Sequence, residues 1–126
     1  MKGSTEIKLI LFHIFDTGIG FDAFQIGSID FPSLKIKNAI LLDKYFNKTG
    51  MENPYKSPRV LFLKNFPDKS LLLDEPEDIV TVSKADICLL PPLLKKATVS
   101  MGLWGVYRLN QKVYFLYDAD ILAGAV

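Results

Sequence analysis

The sequence predicts a mainly β fold. Runs of β-branched, aromatic and leucine residues recur along the 126 residues, and Gly, Pro, Asn and Asp separate them about every ten residues. Hydrophobic residues make up 49% of the chain, which is too many for a disordered protein. About nine short strands of this kind are typical of a β-barrel or a β-sandwich. We expect one domain, residues 1–126, with a core of its own.

The first half of the chain contains three predicted strands. Ile7–Phe15 is a β-type run, and the turn residues 16–18 join it to a second run, Phe21–Ile29, so the two are expected to form a hairpin. Leu34–Leu42 begins with alternating residues and becomes fully apolar, which predicts a third strand. Lys44–Lys48 is expected to add one or two helical turns.

The second half repeats this character. Arg59–Phe66 and Ser70–Leu73 flank a short polar turn and predict a hairpin, and Ile79–Val82 is a further strand. Trp104–Leu109 and Lys112–Tyr117 predict a closing hairpin around a two-residue turn.

An aspartate follows the last strand in each half of the chain. Asp118 comes after the closing hairpin, and we predict that its carboxylate accepts hydrogen bonds from the free amides of a first helical turn. Asp43 has the same interpretation. Ala39–Phe46 and Tyr114–Ile121 share the pattern of apolar strand, aspartate and short amphipathic segment. This weak repeat suggests two similar units.

The charge balance and the cysteine content exclude several classes of protein. Fifteen Lys and Arg residues oppose fourteen Asp and Glu residues without a polybasic tract, so no nucleic-acid partner is expected. The single cysteine, Cys88, excludes an intrachain disulfide and a cysteine metal cluster, and we expect it to be buried. No apolar run approaches the roughly 20 residues that cross a bilayer, and His13 interrupts the first run. A cytoplasmic protein without direct membrane insertion is therefore predicted.

One short motif suggests an enzyme. Ile14, Phe15, Asp16, Thr17 and Gly18 look like the catalytic loop of aspartic proteases, in which two subunits place two carboxylates side by side. That family also has a late segment of two apolar residues and a glycine, and the matching region here has no glycine. A subunit of a retropepsin-like protease therefore remains a remote alternative.

The other polar residues have plain structural interpretations. His13 is the only histidine and is expected to be an ordinary strand residue, because no second ligand accompanies it. The acidic residues 74–78 lack the spacing of a calcium loop and predict a solvated turn. Trp104 is expected to lie in the core. We predict no catalytic residue, no metal site and no cofactor.

Several segments together resemble the CheW family of bacterial chemotaxis adaptors, most clearly over residues 59–122. Leu71–Asp74 is similar to the family's Gly-Leu-Leu-Val-Asp motif, and Pro91 and Pro92 match its proline-containing loop. Gly105 and Val113–Asp118 match its closing hairpin. In the first half, Leu9–Phe12 looks like the opening strand, and Lys35–Asp43 looks like a strand that begins with arginine and glycine. Lys35 replaces that arginine, which keeps the charge and loses the planar fork.

The resemblance implies two intertwined, small, five-stranded, SH3-like β-barrels with a few helical turns. It implies a non-enzymatic adaptor that couples chemoreceptors to a CheA-type histidine kinase. The partners would be the regulatory domain of that kinase and the cytoplasmic tip of a methyl-accepting chemoreceptor. The resemblance places partner-binding residues at Ile29, Phe31 and Lys35. The alternative is a divergent protein of this fold that binds a different partner.

Overall fold

The computed structural model describes residues 5–14, 17–32, 39–41, 56–89 and 102–124 of the chain. These residues form ten β-strands, two short 3₁₀ turns and one α-helix, which confirms the prediction of a mainly β protein. In chain order the elements are β1 (Glu6–Ile14), β2 (Thr17–Asp22), a 3₁₀ turn (Ala23–Gln25), β3 (Ile26–Asp30), β4 (Ala39–Leu41), β5 (Pro58–Leu63), β6 (Ser70–Asp74), β7 (Asp78–Ser83), a second 3₁₀ turn (Lys84–Asp86), β8 (Cys88–Leu89), β9 (Leu103–Leu109), β10 (Lys112–Tyr117) and α1 (Ala119–Gly124).

The described strands belong to two sheets. One has six strands in the order β7-β1-β2-β10-β9-β8, and the other has four in the order β3-β5-β6-β4. Among these strands the pairs β2 with β10 and β4 with β6 are parallel, and every other pair is antiparallel. The expected strand Leu34–Leu42 is described only over β4, and the predicted helical turns at 44–48 lie outside the described residues. The two segments of the proposed repeat, Ala39–Phe46 and Tyr114–Ile121, contain β4 and β10. Each of these strands pairs in parallel with another strand.

Two hydrophobic clusters form the core, and β1 contributes to both. Successive side chains of a strand point to opposite faces, so Phe12 enters the larger cluster while Leu11 enters the smaller one. The four-stranded sheet packs on the larger cluster through Leu61, Leu63, Leu71 and Leu73. The last strands, β9 and β10, close over the smaller cluster with residues such as Leu116 and Leu109. The two clusters therefore share strand β1.

Two glycines allow the parallel pair β2 and β10 to approach closely. A Cβ atom on Gly18 would lie 2.5 Å from the carbonyl oxygen of Val113, and one on Gly20 would lie 2.7 Å from a methyl group of Leu116. Side-chain atoms do not tolerate such distances. The pair Gly18 and Gly20 is therefore explained by packing between strands.

The predicted hairpins are confirmed where the turns carry strong local signals. β5 and β6 pair antiparallel, as do β9 and β10. Asn110 and Gln111, which join β9 to β10, have φ angles of 49° and 71°. Positive φ at both central residues is the geometry of the type I′ hairpin turn, which follows the twist of the flanking strands.

The predicted strand Phe21–Ile29 is wrong as one element. It is divided into β2 and β3 by the 3₁₀ turn Ala23–Gln25, and the side chain of Asp22 accepts a hydrogen bond of 2.9 Å from the amide of Phe24. An aspartate before a turn competes in this way with the strand ladder. The chain therefore leaves the six-stranded sheet at Asp22 and enters the four-stranded sheet at Ile26.

Asp118 begins helix α1 as predicted. Its Oδ1 atom accepts hydrogen bonds from the amides of Asp120 and Ile121, at 2.9 and 3.2 Å. The same oxygen accepts a bond of 2.8 Å from the side-chain amide of Gln25, whose own oxygen accepts from the amide of Ala119 at 2.8 Å. Asp118 thus joins the end of β10 to the turn between β2 and β3. Asp43 lies outside the described residues.

Cys88 is exposed, which corrects the expectation that it is buried. It lies on β8, the last strand of the six-stranded sheet, where it is opposite Val106 of β9. A residue on an edge strand has a neighbouring strand on one side only, so hydrophobic character alone does not bury it. No helix in the described part of the chain is long and apolar enough to cross a membrane.

Candidate protein-binding surface

Two of the three predicted binding residues, Ile29 and Phe31, lie at the end of strand β3. Among the described strands, β3 lies at the end of the four-stranded sheet and pairs with β5 alone. Ile29 is opposite the fully buried Leu61, and its side chain is half-buried against the larger hydrophobic cluster. Phe31 follows the strand and is 70% exposed. Lys35 lies outside the described residues.

Arg59 supports the exposed ring of Phe31. Its guanidinium carbon lies 4.1 Å from the ring centroid, within the range of a cation–π contact. The register of β3 and β5 continues from Asp30 opposite Val60, so Phe31 and Arg59 are the next residues on the two strands. The sequence alone did not identify Arg59, because its position beside Phe31 depends on that register.

The guanidinium of Arg59 is held by the backbone of its own strand. Its Nη1 atom donates to the carbonyl oxygens of Ser57 and Pro58, at 3.3 and 3.0 Å. Its Nη2 atom lies 3.7 Å from the carboxylate of Glu75, a surface ion pair that adds little to stability. Arg59 therefore presents a fixed planar cation beneath an exposed aromatic ring.

This arrangement is suited to binding. An exposed ring and a fixed guanidinium can bury apolar area and contact a carboxylate or a carbonyl group of a partner. Within the ranges that the structure describes, no group of three or more His, Cys, Asp or Glu residues could hold a metal ion.

A second polar cluster connects three strands of the six-stranded sheet. The carboxylate of Glu77, just before β7, contacts the Nδ1 atom of His13 on β1. It accepts a hydrogen bond of 2.8 Å from the hydroxyl of Tyr114 on β10, and it lies 3.7 Å from the ammonium of Lys112. His13 and Tyr114 also make an edge-to-face contact, with ring centroids 5.4 Å apart.

Two of the acidic residues 74–78, which were expected to form a solvated turn, have structural partners. The two carboxylate oxygens of Asp74 accept hydrogen bonds from the amides of Ser57 and Lys56, at 2.7 and 3.0 Å. Glu77 is bonded across 64 residues of sequence to His13. The acidic stretch therefore has two carboxylates with structural partners, which local sequence patterns do not reveal.

The environment of Glu77 changes the pKa values of two groups. Partial burial and the Glu77 carboxylate raise the pKa of Tyr114 to about 12, since both disfavour the phenolate. Partial burial also acts to raise the pKa of Glu77, but hydrogen bonds from Tyr114 and His13 outweigh it. The charges of His13 and Lys112 act in the same direction, and the pKa of Glu77 falls below its ordinary value of 4.5.

We expect Glu77→Gln to lower the free energy of unfolding by about 1 kcal/mol at neutral pH. A carboxylate whose pKa is lower in the folded protein stabilises the fold above the unfolded pKa, and this contribution is lost as the pH falls through the folded value. The difference between the wild type and the variant should therefore shrink below pH 4.5. Urea denaturation of both proteins at several pH values measures this difference in stability.

Glu75→Gln is the matched control, because the Glu75 side chain is 60% exposed and has one ion pair of 3.7 Å. It should leave stability nearly unchanged at every pH. Equal effects of the two substitutions, or a difference for Glu77→Gln that stays constant on acidification, would contradict the role assigned to Glu77.

The described residues include only part of the protease-like motif. Thr17 and Gly18 begin β2, where Gly18 is opposite His13 and packs against β10. Asp16, the residue that would be catalytic, lies outside the described residues. A close packing role for Gly18 accounts for the glycine of the motif without a catalytic function.

One comparison with known structures supports the predicted fold. The chain is similar to the scaffolding protein TtCheW from Thermoanaerobacter tengcongensis, with a TM-score of 0.65 and 15% sequence identity over 88% of each chain. No protein-family model matches the sequence, and no curated protein matches it. A likeness at this level of identity establishes the fold and leaves partners open. The protein has a CheW-like fold, as the sequence predicted.

Proposed function

We propose that the protein is a non-enzymatic adaptor that couples chemoreceptors to a CheA-type histidine kinase. The observation that supports this most strongly is the CheW-like fold over 88% of the chain, because the similar protein is a scaffolding protein. The proposal includes a single domain over residues 1–126 and a cytoplasmic location. Its partners are the regulatory domain of the kinase and the cytoplasmic tip of a methyl-accepting chemoreceptor.

In this proposal the end of β3 contacts the cytoplasmic tip of the chemoreceptor. Ile29, Phe31 and Lys35 are the proposed binding residues, and Arg59 joins them through its contact with Phe31. The ring is 70% exposed in the free protein, so a partner that covers it removes a large apolar area from water. The fixed guanidinium of Arg59 lowers the entropy that binding costs, since the donors are already oriented.

Calorimetric titration with the regulatory domain of the CheA-type kinase from the same genome tests the proposal. We expect micromolar or tighter binding by the wild type. In a second titration, with the cytoplasmic tip of a methyl-accepting chemoreceptor from the same genome, Phe31→Ala should weaken binding about tenfold or more, because a truncated aromatic anchor removes buried area at the centre of contact. Its thermal unfolding should match the wild type, since the ring is mainly in water.

Phe24→Ala is the matched control for this titration. Phe24 is 81% exposed and has the ammonium of Lys64 at 4.7 Å from its ring centroid, so it repeats the chemistry of Phe31 at another place. It should bind the receptor tip like the wild type. Ile29→Ala is less informative, because Ile29 also packs against the larger cluster and its loss affects folding.

Two outcomes would contradict the proposal. A folded wild-type protein that does not bind the kinase domain would favour the alternative, a divergent protein of the same fold with another partner. Receptor binding that Phe31→Ala leaves unchanged would remove the end of β3 from the receptor interface.

A further inference from the structure

A groove beside Asp22 is lined by residues that the proposed function does not use. It has two adjoining parts, with volumes of about 660 and 430 Å³, which share Ile7, Asp22 and Lys84 in their walls. Phe24 lines only the larger part, and Leu89 and Trp104 line only the smaller part. The groove shares no lining residue with the Phe31 and Arg59 surface.

Apolar side chains line both parts of this groove. Phe24, in the larger part, is 81% exposed, and Leu89, in the smaller part, is 65% exposed. Large apolar side chains exposed to this degree beside a concave surface are typical of binding sites. The partly buried Trp104 lines the smaller part, and the half-buried Ile7 lines both.

Exposed positive charge lies along the same groove. Lys8, Lys64 and Lys84 line it and are exposed, and Glu6 is the exposed carboxylate in its walls. The remaining carboxylates, Asp22 and Asp118, are half-buried and accept hydrogen bonds from amide groups. The charge that reaches solvent therefore favours an acidic ligand.

Phe24 is held in position in the free protein. Its amide donates to Asp22, and the next residue, Gln25, exchanges two hydrogen bonds of 2.8 Å with Asp118 and Ala119. The carbonyl oxygen of Gln25 accepts from the amide of Lys64 at 3.1 Å. The 3₁₀ turn that carries the exposed ring is thus fixed, which lowers the entropy that binding costs.

The backbone of Lys84, which lines both parts of the groove, is also fixed. Ser83 caps the 3₁₀ turn Lys84–Asp86 by accepting a bond of 3.2 Å from the amide of Ala85. The amide of Lys84 donates to the carbonyl oxygen of Thr5 at 2.7 Å.

We propose that this groove binds an acidic amphipathic segment of a partner protein. Apolar side chains of the segment contact Phe24 in the larger part of the groove and Leu89 with Trp104 in the smaller part, and its carboxylates face Lys8, Lys64 and Lys84. A neutral apolar segment would offer these ammonium groups no carboxylate, and a basic one would be repelled.

A random peptide library displayed on phage and selected against the wild-type protein tests this proposal. We expect the enriched peptides to carry Asp or Glu between two apolar residues. Synthetic versions should bind about tenfold more weakly to Phe24→Ala and to Lys84→Glu, as measured by fluorescence anisotropy. Added salt should weaken the binding, because the charges are exposed.

Phe31→Ala and Arg108→Glu are the matched controls. Phe31 is a similarly exposed ring on the other surface, and Arg108 is an exposed cation on β9 that lines neither part of the groove. Both should bind the peptides like the wild type, and thermal unfolding should be similar for all exposed variants. The proposal is overturned if no peptide is enriched, if the enriched peptides lack carboxylates, or if Phe24→Ala binds them unchanged. Self-association that Phe24→Ala abolishes, measured by sedimentation, would also overturn it in favour of a second copy of the chain.

Discussion

Gly18→Ala is expected to lower the free energy of unfolding by about 3 kcal/mol or more, a large part of the stability of a typical domain. The added Cβ would lie 2.5 Å from the backbone oxygen of Val113 and 2.9 Å from the ring of Tyr114. A backbone atom cannot rotate away as a side chain can. The new methyl group therefore forces β2 and β10 apart and disrupts the parallel ladder between them.

Gly27→Ala makes the same chemical change at a place with more room. A Cβ atom on Gly27 would have its nearest neighbour at 3.4 Å, the carbonyl oxygen of Phe62, which is an ordinary contact. Urea denaturation of both variants measures the difference between their unfolding free energies. Similar stabilities for the two variants would mean that β2 and β10 are not as close as described.

Phe12→Ala and Leu11→Ala are each expected to destabilise the whole protein, by about 3–5 and 2–5 kcal/mol respectively. Both side chains are fully buried, yet they enter different clusters. Phe12 also makes an edge-to-face contact with Phe21, with ring centroids 6.0 Å apart. Because the two residues are neighbours on one strand, neither cluster can lose its part of β1 without disturbing the other.

The single tryptophan makes this expectation measurable. Trp104 packs against the smaller cluster, so its fluorescence reports on that cluster, while far-UV circular dichroism reports on all strands. Phe12→Ala changes the larger cluster, and we expect it to move both unfolding transitions to the same lower urea concentration. A fluorescence transition that stays in place in Phe12→Ala would indicate two cores that unfold independently.

Local patterns in the sequence predicted the elements that depend on neighbouring residues. The hairpin of β9 and β10 followed from two apolar runs and a turn at Asn110, which adopts the left-handed conformation. The cap at Asp118 followed from an acidic residue between a strand and an amphipathic segment. The CheW-like fold followed from motifs in the second half, most of which lie in described strands.

Features that depend on sheet order were not predictable in this way. Cys88 is exposed because β8 ends a sheet, and the position of a strand within a sheet is not encoded in its own residues. His13 was interpreted as an ordinary strand residue because its partner, Glu77, is 64 positions away. The break at Ala23–Gln25 had a local signal in Asp22, which the apolar residues on both sides concealed.

The environments of the candidate binding residues also depend on contacts that the sequence pattern does not show. The resemblance places Ile29 and Phe31 in one binding site, but Ile29 is half-buried and Phe31 is exposed. Ile29 lies within β3 and packs against the larger cluster, whereas Phe31 follows the end of the strand. Arg59 and Phe24, which have the most informative contacts on the two proposed surfaces, could be recognised only from those contacts.

The parallel pairing of β2 with β10 has a consequence for synthesis on the ribosome. Strand β2 ends at Asp22, whereas β10 begins at Lys112, so the inner position of the six-stranded sheet stays vacant until the chain between them has been made. A nascent chain can form the hairpin of β1 and β2 early, but one side of β2 then remains without its neighbour. Such a topology delays cooperative folding and exposes an apolar edge to aggregation during translation. Chaperone binding to the growing chain should therefore persist until residues 112–117 have left the exit tunnel.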